Sequence, residues 1–317
     1  MTEKYAIGVD IGATKIASAL VDREGKILAS DYRMTASDLG ENGTLDRIAA
    51  SIQSLLEDPY TVSGIGIDAP GEVYPTRGTV ENAVNLGWER VALKEEIQKR
   101  ISSNIPIYLE RDTYAQTLGE FYYGAAKNVT DYVYLGIGSG LGAGALVKGS
   151  LLEGSNRAAL EIGHLGLTGL TRPCACGKTG CAETLLSGTG IVNTYLSDSW
   201  GCEFPPLPGI SAALSAQEIL QRAQSAEPRA QMLVEEFGRY LGEIISDLLM
   251  ILNPELIVIG GGFGLSAFDQ ALVSMQAEIK RRSLPSNYQK LRIEKSTLES
   301  SALGAASLVW YSQNQSR

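Results

Sequence analysis

The chain has 317 residues, 44% of them hydrophobic and 20% charged, an ordinary globular composition at a length where one hydrophobic core usually gives way to two. Its 27 basic and 36 acidic residues leave a formal net charge of −9, which repels phosphate backbones and excludes nucleic acid as an expected partner. No apolar run reaches membrane-spanning length, and the polar start Met1–Lys4 before the short run Tyr5–Gly12 is no secretory leader, so no membrane partner and a cytoplasmic location are expected.

The opening reads as a strand meander. Tyr5–Ile11 and Lys15–Val21 are β-rich runs, Asp22–Gly25 is a turn, and Lys26–Tyr32 is a third run. Leu45–Leu56 carries Leu45, Ile48, Ala49, Ile52, Leu55 and Leu56 at helical spacing. A strand at Ser63–Ala69, a helix at Val91–Ile101 and a strand at Ile105–Leu109 follow, giving the order β-β-β-α-β-α-β. Thr113–Tyr123 reads as a connecting helix. A second copy then begins near Asp131, with a strand at Tyr132–Ile137, a glycine-rich turn and a return strand at Ala143–Lys148. Strand, glycine turn and strand in two halves point to duplicated α/β domains. Pro228–Leu252 is a long amphipathic helix ended by Asn253–Pro254, Leu256–Ile259 is a buried strand, and Ser301–Tyr311 is the final helix.

Three glycine turns follow strands. In the first, Asp10–Ile11–Gly12–Ala13–Thr14–Lys15, Gly12 lets backbone N–H groups approach an anion, Thr14 and Lys15 add a hydroxyl and a charge, and Asp10 is placed to hold a metal-bound water. An ordinary polar hairpin is the plain alternative. The second, with Gly138, Ser139 and Gly140, stands at the matching place in the second half, and the pair suggests a triphosphate clamped between two domains. The third, with Gly261 and Gly262, is placed to approach a base or ribose, or is a tight strand-to-helix turn. Gly177–Lys178–Thr179 imitates the end of a P-loop, but the required first glycine falls on Arg172.

The most specific signal is His164 with Cys174, Cys176 and Cys181. His164 is the one histidine of the chain. Three thiolates and one imidazole complete a closed tetrahedral shell, so a zinc ion there is structural. Cys202 is left over, a buried free thiol by default. At Glu110–Arg111–Asp112 a carboxylate ends a strand, where it serves either as a proton acceptor or as a helix N-cap. Spacing alone leaves the two open.

Together these residues resemble the ROK family of sugar kinases and repressors, within the ATPase superfamily of actin and hexokinase. The resemblance covers nearly the whole chain. It is most specific at Cys174-x-Cys176-Gly177-x-x-Gly180-Cys181-x-Glu183 and Glu161-x-Gly163-His164. It implies a two-domain α/β actin-like ATPase (ribonuclease H-like) fold with an interdomain active-site cleft, the domains being residues 1–113 with 302–317, and 114–301. It implies that Asp112 is the catalytic base of an ATP-dependent sugar kinase acting on a 6-OH or equivalent, glucose being one such substrate. Glu161, His164 and Glu183 would bind sugar hydroxyls, with His164 also a zinc ligand, and Ala69, Pro70 and Gly71 would line the sugar pocket. Asp10, Gly12, Ala13, Thr14, Lys15, Gly138, Ser139 and Gly140 would hold phosphates with Mg²⁺, and Gly261 and Gly262 would lie near the adenosine. A homodimer or homotetramer is the implied assembly.

Two departures bear on the identity of the sugar. Arg111 stands where the family's sugar kinases usually carry Asn, and Arg157 and Leu160 stand where small residues are common. Arginine donates but cannot accept hydrogen bonds. If it faces the pocket, an amino sugar, an N-acetyl amino sugar, a cyclitol or an acidic sugar becomes an alternative substrate. The rival of another class is a non-enzymatic sugar-sensing regulator. Its DNA-binding domain would precede the Asp10 segment, and the acidic charge argues against it. A polyphosphate hydrolase on the same fold would not need Glu161, Glu183 and the zinc loop, and a degenerate member would not keep Asp112 and the phosphate turns.

Overall fold

A computed structural model describes residues 4–35, 39–57, 60–197 and 214–315. They divide into two units: the described residues up to Asn128 together with those from Thr297 onward, and Val129–Ser296. The leftover Cys202 lies outside the described residues.

In the first unit, β1 (Tyr5–Ile11), β2 (Lys15–Val21) and β3 (Ile27–Met34) form the expected antiparallel meander. Then come α1 (Gly40–Leu56), β4 (Val62–Ala69), the strands β5 (Glu72–Tyr74), β6 (Thr79–Ala83) and β7 (Trp88–Val91), α2 (Leu93–Ile101), β8 (Ile107–Arg111) and α3 (Asp112–Tyr122). The main sheet runs β3-β2-β1-β4-β8, with β1, β4 and β8 parallel. β5, β6 and β7 make a separate small sheet that sequence patterning did not show, because its strands are only three to five residues long and too short for an alternation to register.

Parallel strands are covered on both faces and read as near-continuous apolar runs. Here Ile7, Val9, Ile65 and Ile67 share a core with Leu45, Ile48 and Ile52 of α1. On the other face, Ala6 and Ala19 pack with Ala302, Ala306, Val309 and Trp310 from the last described helix, α9 (Ser301–Gln315). Glycine permits that approach: a Cβ on Gly8 or Gly66 would lie 1.9 Å from a carbonyl of α9.

The second unit repeats the plan. β9 (Tyr132–Ile137), β10 (Leu141–Val147) and β11 (Ser150–Leu151) form an antiparallel meander. There follow α4 (Gly188–Leu196), α5 (Ala216–Gln224), α6 (Pro228–Leu252), β12 (Leu256–Gly260), α7 (Gly262–Arg282), α8 (Pro285–Tyr288) and β13 (Arg292–Lys295). The sheet runs β11-β10-β9-β12-β13, with β12 parallel to β9 and β13. The chain then returns to the first unit as α9 (Ser301–Gln315). Both halves therefore place their opening strand mid-sheet, with a hairpin on one side and parallel strands on the other, as the duplicated glycine turns led one to expect.

Helix α7, 21 residues long, is absent from the sequence reading. Its buried positions, Phe263, Gly264, Ala267, Ala271, Met275, Glu278 and Ile279, are mostly small or polar, so its apolar stripe is faint. Helix α3, read as a connector, packs on α9, where a Cβ on Gly119 would lie 2.8 Å from the Cα of Gly304. The units consequently divide at 128/129 and 296/297. No helix among the described residues is long and apolar enough to cross a membrane.

Candidate functional site

In the second unit the His–Cys cluster assembles from backbone pairing. Leu167 N–H donates to the Gly180 carbonyl at 3.0 Å and Ala182 N–H to Leu165 at 2.8 Å, which draws the His164 segment against the Cys181 segment. Cys174 N–H donates to the Lys178 carbonyl at 2.8 Å, and Gly177, at φ 85°, turns the knuckle between them. The apparent P-loop remnant Gly177–Lys178–Thr179 is this knuckle. His164 Nδ1 lies 3.9 Å from Cys174 Sγ, and Cys176 Sγ lies 3.6 Å from Cys181 Sγ. All four ligand atoms fall within 4.8 Å of one another. Tetrahedral zinc with Zn–S bonds of about 2.3 Å requires ligand–ligand edges of about 3.8 Å, so the donor set and its spacing fit zinc with no position left for a water.

Two short 3-10 turns flank the cluster. Ile162–His164 follows the exposed Glu161, and Ala182–Thr184 carries Glu183. Glu183 has a role that its motif did not disclose: its Oε2 accepts the Leu141 N–H at 2.8 Å. A Cβ on Gly140 would sit 2.6 Å from that oxygen. The carboxylate thus ties the metal loop to the Gly138–Ser139–Gly140 turn, whose Gly138 N–H donates to Gly140 at 3.0 Å and whose Gly138 carbonyl accepts Gly188 N–H at 2.7 Å. The third glycine segment is a strand-to-helix turn. Gly261 follows β12 at φ 78°, where a Cβ would meet the Ile137 carbonyl at 2.4 Å, and Gly262 opens α7. The N-terminus of α7 therefore starts beside the end of β9, with the partial positive charge that helix N-termini carry.

In the first unit the Gly12 turn is closed by Gly12 N–H donating to the Lys15 carbonyl at 2.9 Å, and Thr35, just past β3, ties it down through Thr35 N–H to the Thr14 carbonyl at 2.9 Å and Thr35 Oγ1 to the Gly12 carbonyl at 2.7 Å. Ala13, Thr14 and Lys15 are exposed. Asp10, half-buried near the end of β1, accepts from Ser301 Oγ. Register then reveals a row of three acids across the sheet: Asp10 pairs with Asp68, and Asp68 with Glu110.

Asp68 ends the apolar run Ile65–Ile67, with no motif around it that marks a site residue. It is wholly buried. Gln116 Nε2 donates to its Oδ2 at 3.3 Å and also to the Ser301 carbonyl at 2.9 Å. Burial, then the charge and hydrogen bond of Asp10, then the charge of Asp112, hold the Asp68 carboxyl well above the usual carboxylate range.

Asp112 is the first residue of α3, exposed, with Oδ1 accepting the Thr113 N–H at 2.6 Å. The N-cap is Arg111, which makes no side-chain cap. Arg111 is half-buried, its guanidinium carbon 5.0 Å from the Tyr114 ring centroid. Its charge is one of the smaller influences lowering the Glu72 carboxyl, after the hydrogen bonds from Asn82 and Tyr74. Ala69 is buried at the end of β4, and Gly71, at φ 92°, presses the turn against β6, where a Cβ would lie 2.8 Å from the Glu81 carbonyl. Both Arg157 and Leu160 take positive φ, 62° each, and Arg157 pairs with Glu153 at 2.6 Å.

A family model described as "ROK family" matches residues 6–311. The glucokinase of Halalkalibacterium halodurans is 30% identical over 297 residues, covering 90% of this chain and 88% of that one. A xylose repressor of Caldicellulosiruptor bescii is 29% identical over 324 residues, covering 96% of this chain and 77% of the repressor. Among solved structures, a ROK family glucokinase from Streptomyces griseus in complex with glucose and AMPPNP superposes with a TM-score of 0.80 at 26% identity, covering 98% of this chain and 99% of that one. The actin-like ATPase fold implied by the family resemblance is borne out by these likenesses and by the two matching sheets.

Proposed function

The chain belongs to the ROK family, and from that premise we propose that it transfers the γ-phosphate of ATP to a hydroxyl, the 6-OH or its equivalent, of a hexose-like sugar. The observation that carries the reading is Asp112, an exposed carboxylate at the end of β8. A carboxylate there can take the hydroxyl proton that phosphoryl transfer releases. In the proposed reaction the sugar oxygen attacks the γ-phosphorus, the bond to the β–γ bridging oxygen breaks, and ADP leaves. The hydroxyl proton passes to Asp112, which has one oxygen on the Thr113 N–H and thus a fixed orientation.

The other roles follow the same reading. Asp10 and the Gly12, Ala13, Thr14, Lys15 turn hold phosphate oxygens, as do Gly138, Ser139 and Gly140, while Gly261 and Gly262 lie near the adenosine. Mg²⁺ arriving with ATP supplies charge neutralisation of the phosphates. Glu161, His164 and Glu183, with Ala69, Pro70, Gly71 and Arg111, bind the sugar. Since Glu183 Oε2 accepts the Leu141 N–H, Oε1 is the oxygen assigned to a sugar hydroxyl. Since His164 Nδ1 faces Cys174, Nε2 is the nitrogen assigned to the sugar. His164, Cys174, Cys176 and Cys181 hold a structural zinc that fixes this loop. Arg111 keeps an amino sugar, an N-acetyl amino sugar or a cyclitol as alternatives to glucose, and the assembly is a homodimer or homotetramer.

A sugar-sensing regulator is the second reading, favoured by the 29% identity to the xylose repressor over 96% of the chain. The test is ADP release with Mg-ATP across neutral, amino, N-acetylated and acidic sugars and cyclitols. Sugar-dependent release supports the kinase. Sugar binding without release, from metal-loaded protein that binds ATP, supports the regulator.

A further inference from the structure

Thr168 lies on the metal loop between His164 and Cys174. It is exposed, yet it makes three polar contacts with α6. Its N–H and Oγ1 both donate to Glu243 Oε1, at 3.3 and 2.9 Å, and its carbonyl accepts from Tyr240 Oη at 3.2 Å. Its neighbour Leu167 is buried in the core of the unit and is backbone-paired to Gly180, one residue before the ligand Cys181.

Glu243 is 3% exposed. Its Oε2 lies 2.6 Å from Arg282 of α7, and Arg282 Nε donates to Glu278 at 2.6 Å. The two helices are seated closely there, since a Cβ on Gly242 would lie 2.5 Å from the Met275 carbonyl. The glutamate of this pair is buried and the arginine partly exposed, and such a pair adds little as mere stabilisation, because well-packed apolar residues of the same volume do as well or better. What this pair does secure is the place of Glu243 Oε1, and through it both donors of Thr168. Supporting groups behind a ligand loop set the geometry of the ligands in front of it.

We propose that Glu243 is a positioning residue: backed by Arg282 and helped by Tyr240, it clamps Thr168 and so holds the loop that carries Glu161, His164 and Cys181 in register with the helical layer. That the clamped loop meets a sugar rests on the kinase reading above; the clamp itself does not. The clamp makes the loop's order depend on α6 and α7 as well as on the metal.

The test compares Thr168→Val, Thr168→Ser and Glu243→Gln in the full chain. Thr168 is exposed, so the valine variant is expected to fold, which its circular dichroism spectrum checks. Losing one hydrogen bond is expected to speed amide exchange across residues 165–182 by ~5-fold and to hasten zinc release to a chromogenic chelator by a similar factor. The sugar KM is expected to rise ~3–10-fold with kcat held within about twofold. Glu243→Gln shifts the same readouts, and Thr168→Ser, which keeps the hydroxyl, restores wild-type values. Exchange in Thr168→Val and Glu243→Gln equal to wild type overturns the clamp, and a loosened loop with unchanged KM overturns its role in sugar binding. Should the wild type turn over no sugar, the kinase reading alone falls. Exchange and zinc release then decide the clamp, upheld by a Thr168→Val effect that serine reverses and overturned by its absence.

Discussion

Asp112, the four candidate metal ligands and Asp68 show what single side chains contribute. Removing the carboxylate charge at Asp112 while keeping its shape, as Asp112→Asn, is expected to lower kcat by ~10²–10⁴-fold with a sugar KM near wild type, checked by steady-state kinetics. Replacing the buried Cys181 by Ser is expected to cut bound zinc from about one equivalent to near zero, by metal analysis of purified protein. The ligand cluster was legible because few chemistries need three thiols and an imidazole in so short a span. Asp68 was not legible as a site residue, since its burial and its pairing with Asp10 come from strand register, which no local pattern encodes. Nor was the Glu183 bond to Leu141, which joins positions 42 residues apart. At Asp112 a single step of register removes the cap alternative: Arg111 takes the N-cap, and the carboxylate falls one residue inside the helix.

Among the elements, α9 and the α6–α7 pair carry the sharpest expectations. A Cβ on Gly66 would come within 1.9 Å of the Ala305 carbonyl, a contact that only backbone movement relieves. Gly66→Ala is therefore expected to destabilise the first unit by roughly 1–3 kcal/mol or more, read as a lower urea midpoint. On α7, the hydrogen bond to Arg281, opposed by burial and reinforced by Arg282, holds the Glu278 carboxyl at about 2. Its folded value lies below the unfolded value of about 4.3. The stability it contributes is thus present above about pH 4.3 and is lost as pH falls toward about 2. Glu278→Gln is expected to flatten that part of the stability–pH curve, measured by denaturant titration at stepped acidic pH, and an unaltered slope would contradict it. Strong periods made α1, α6 and the meander strands readable. Helix α7 escaped because glycine, alanine and a glutamate dilute its buried stripe, and β5–β7 because their burial depends on a core supplied from elsewhere in the chain.

At the scale of the molecule, the two units share one strand plan, β3-β2-β1-β4-β8 against β11-β10-β9-β12-β13, and each puts a glycine turn between its first two strands. That repetition was readable from two short motifs because hairpins are local. The return of α9 to the first unit was readable only through the family resemblance. Likeness to a glucokinase and to a xylose repressor over most of the chain leaves chemistry, not fold, as the question. The most direct measurement is ³¹P NMR of the zinc-loaded protein with Mg-ATP and a sugar that drives ADP release. A sugar phosphomonoester signal growing in step with ADP and lost in Asp112→Asn is the expected result. ADP accompanied only by inorganic phosphate, or a sugar phosphate formed equally well by Asp112→Asn, would contradict it.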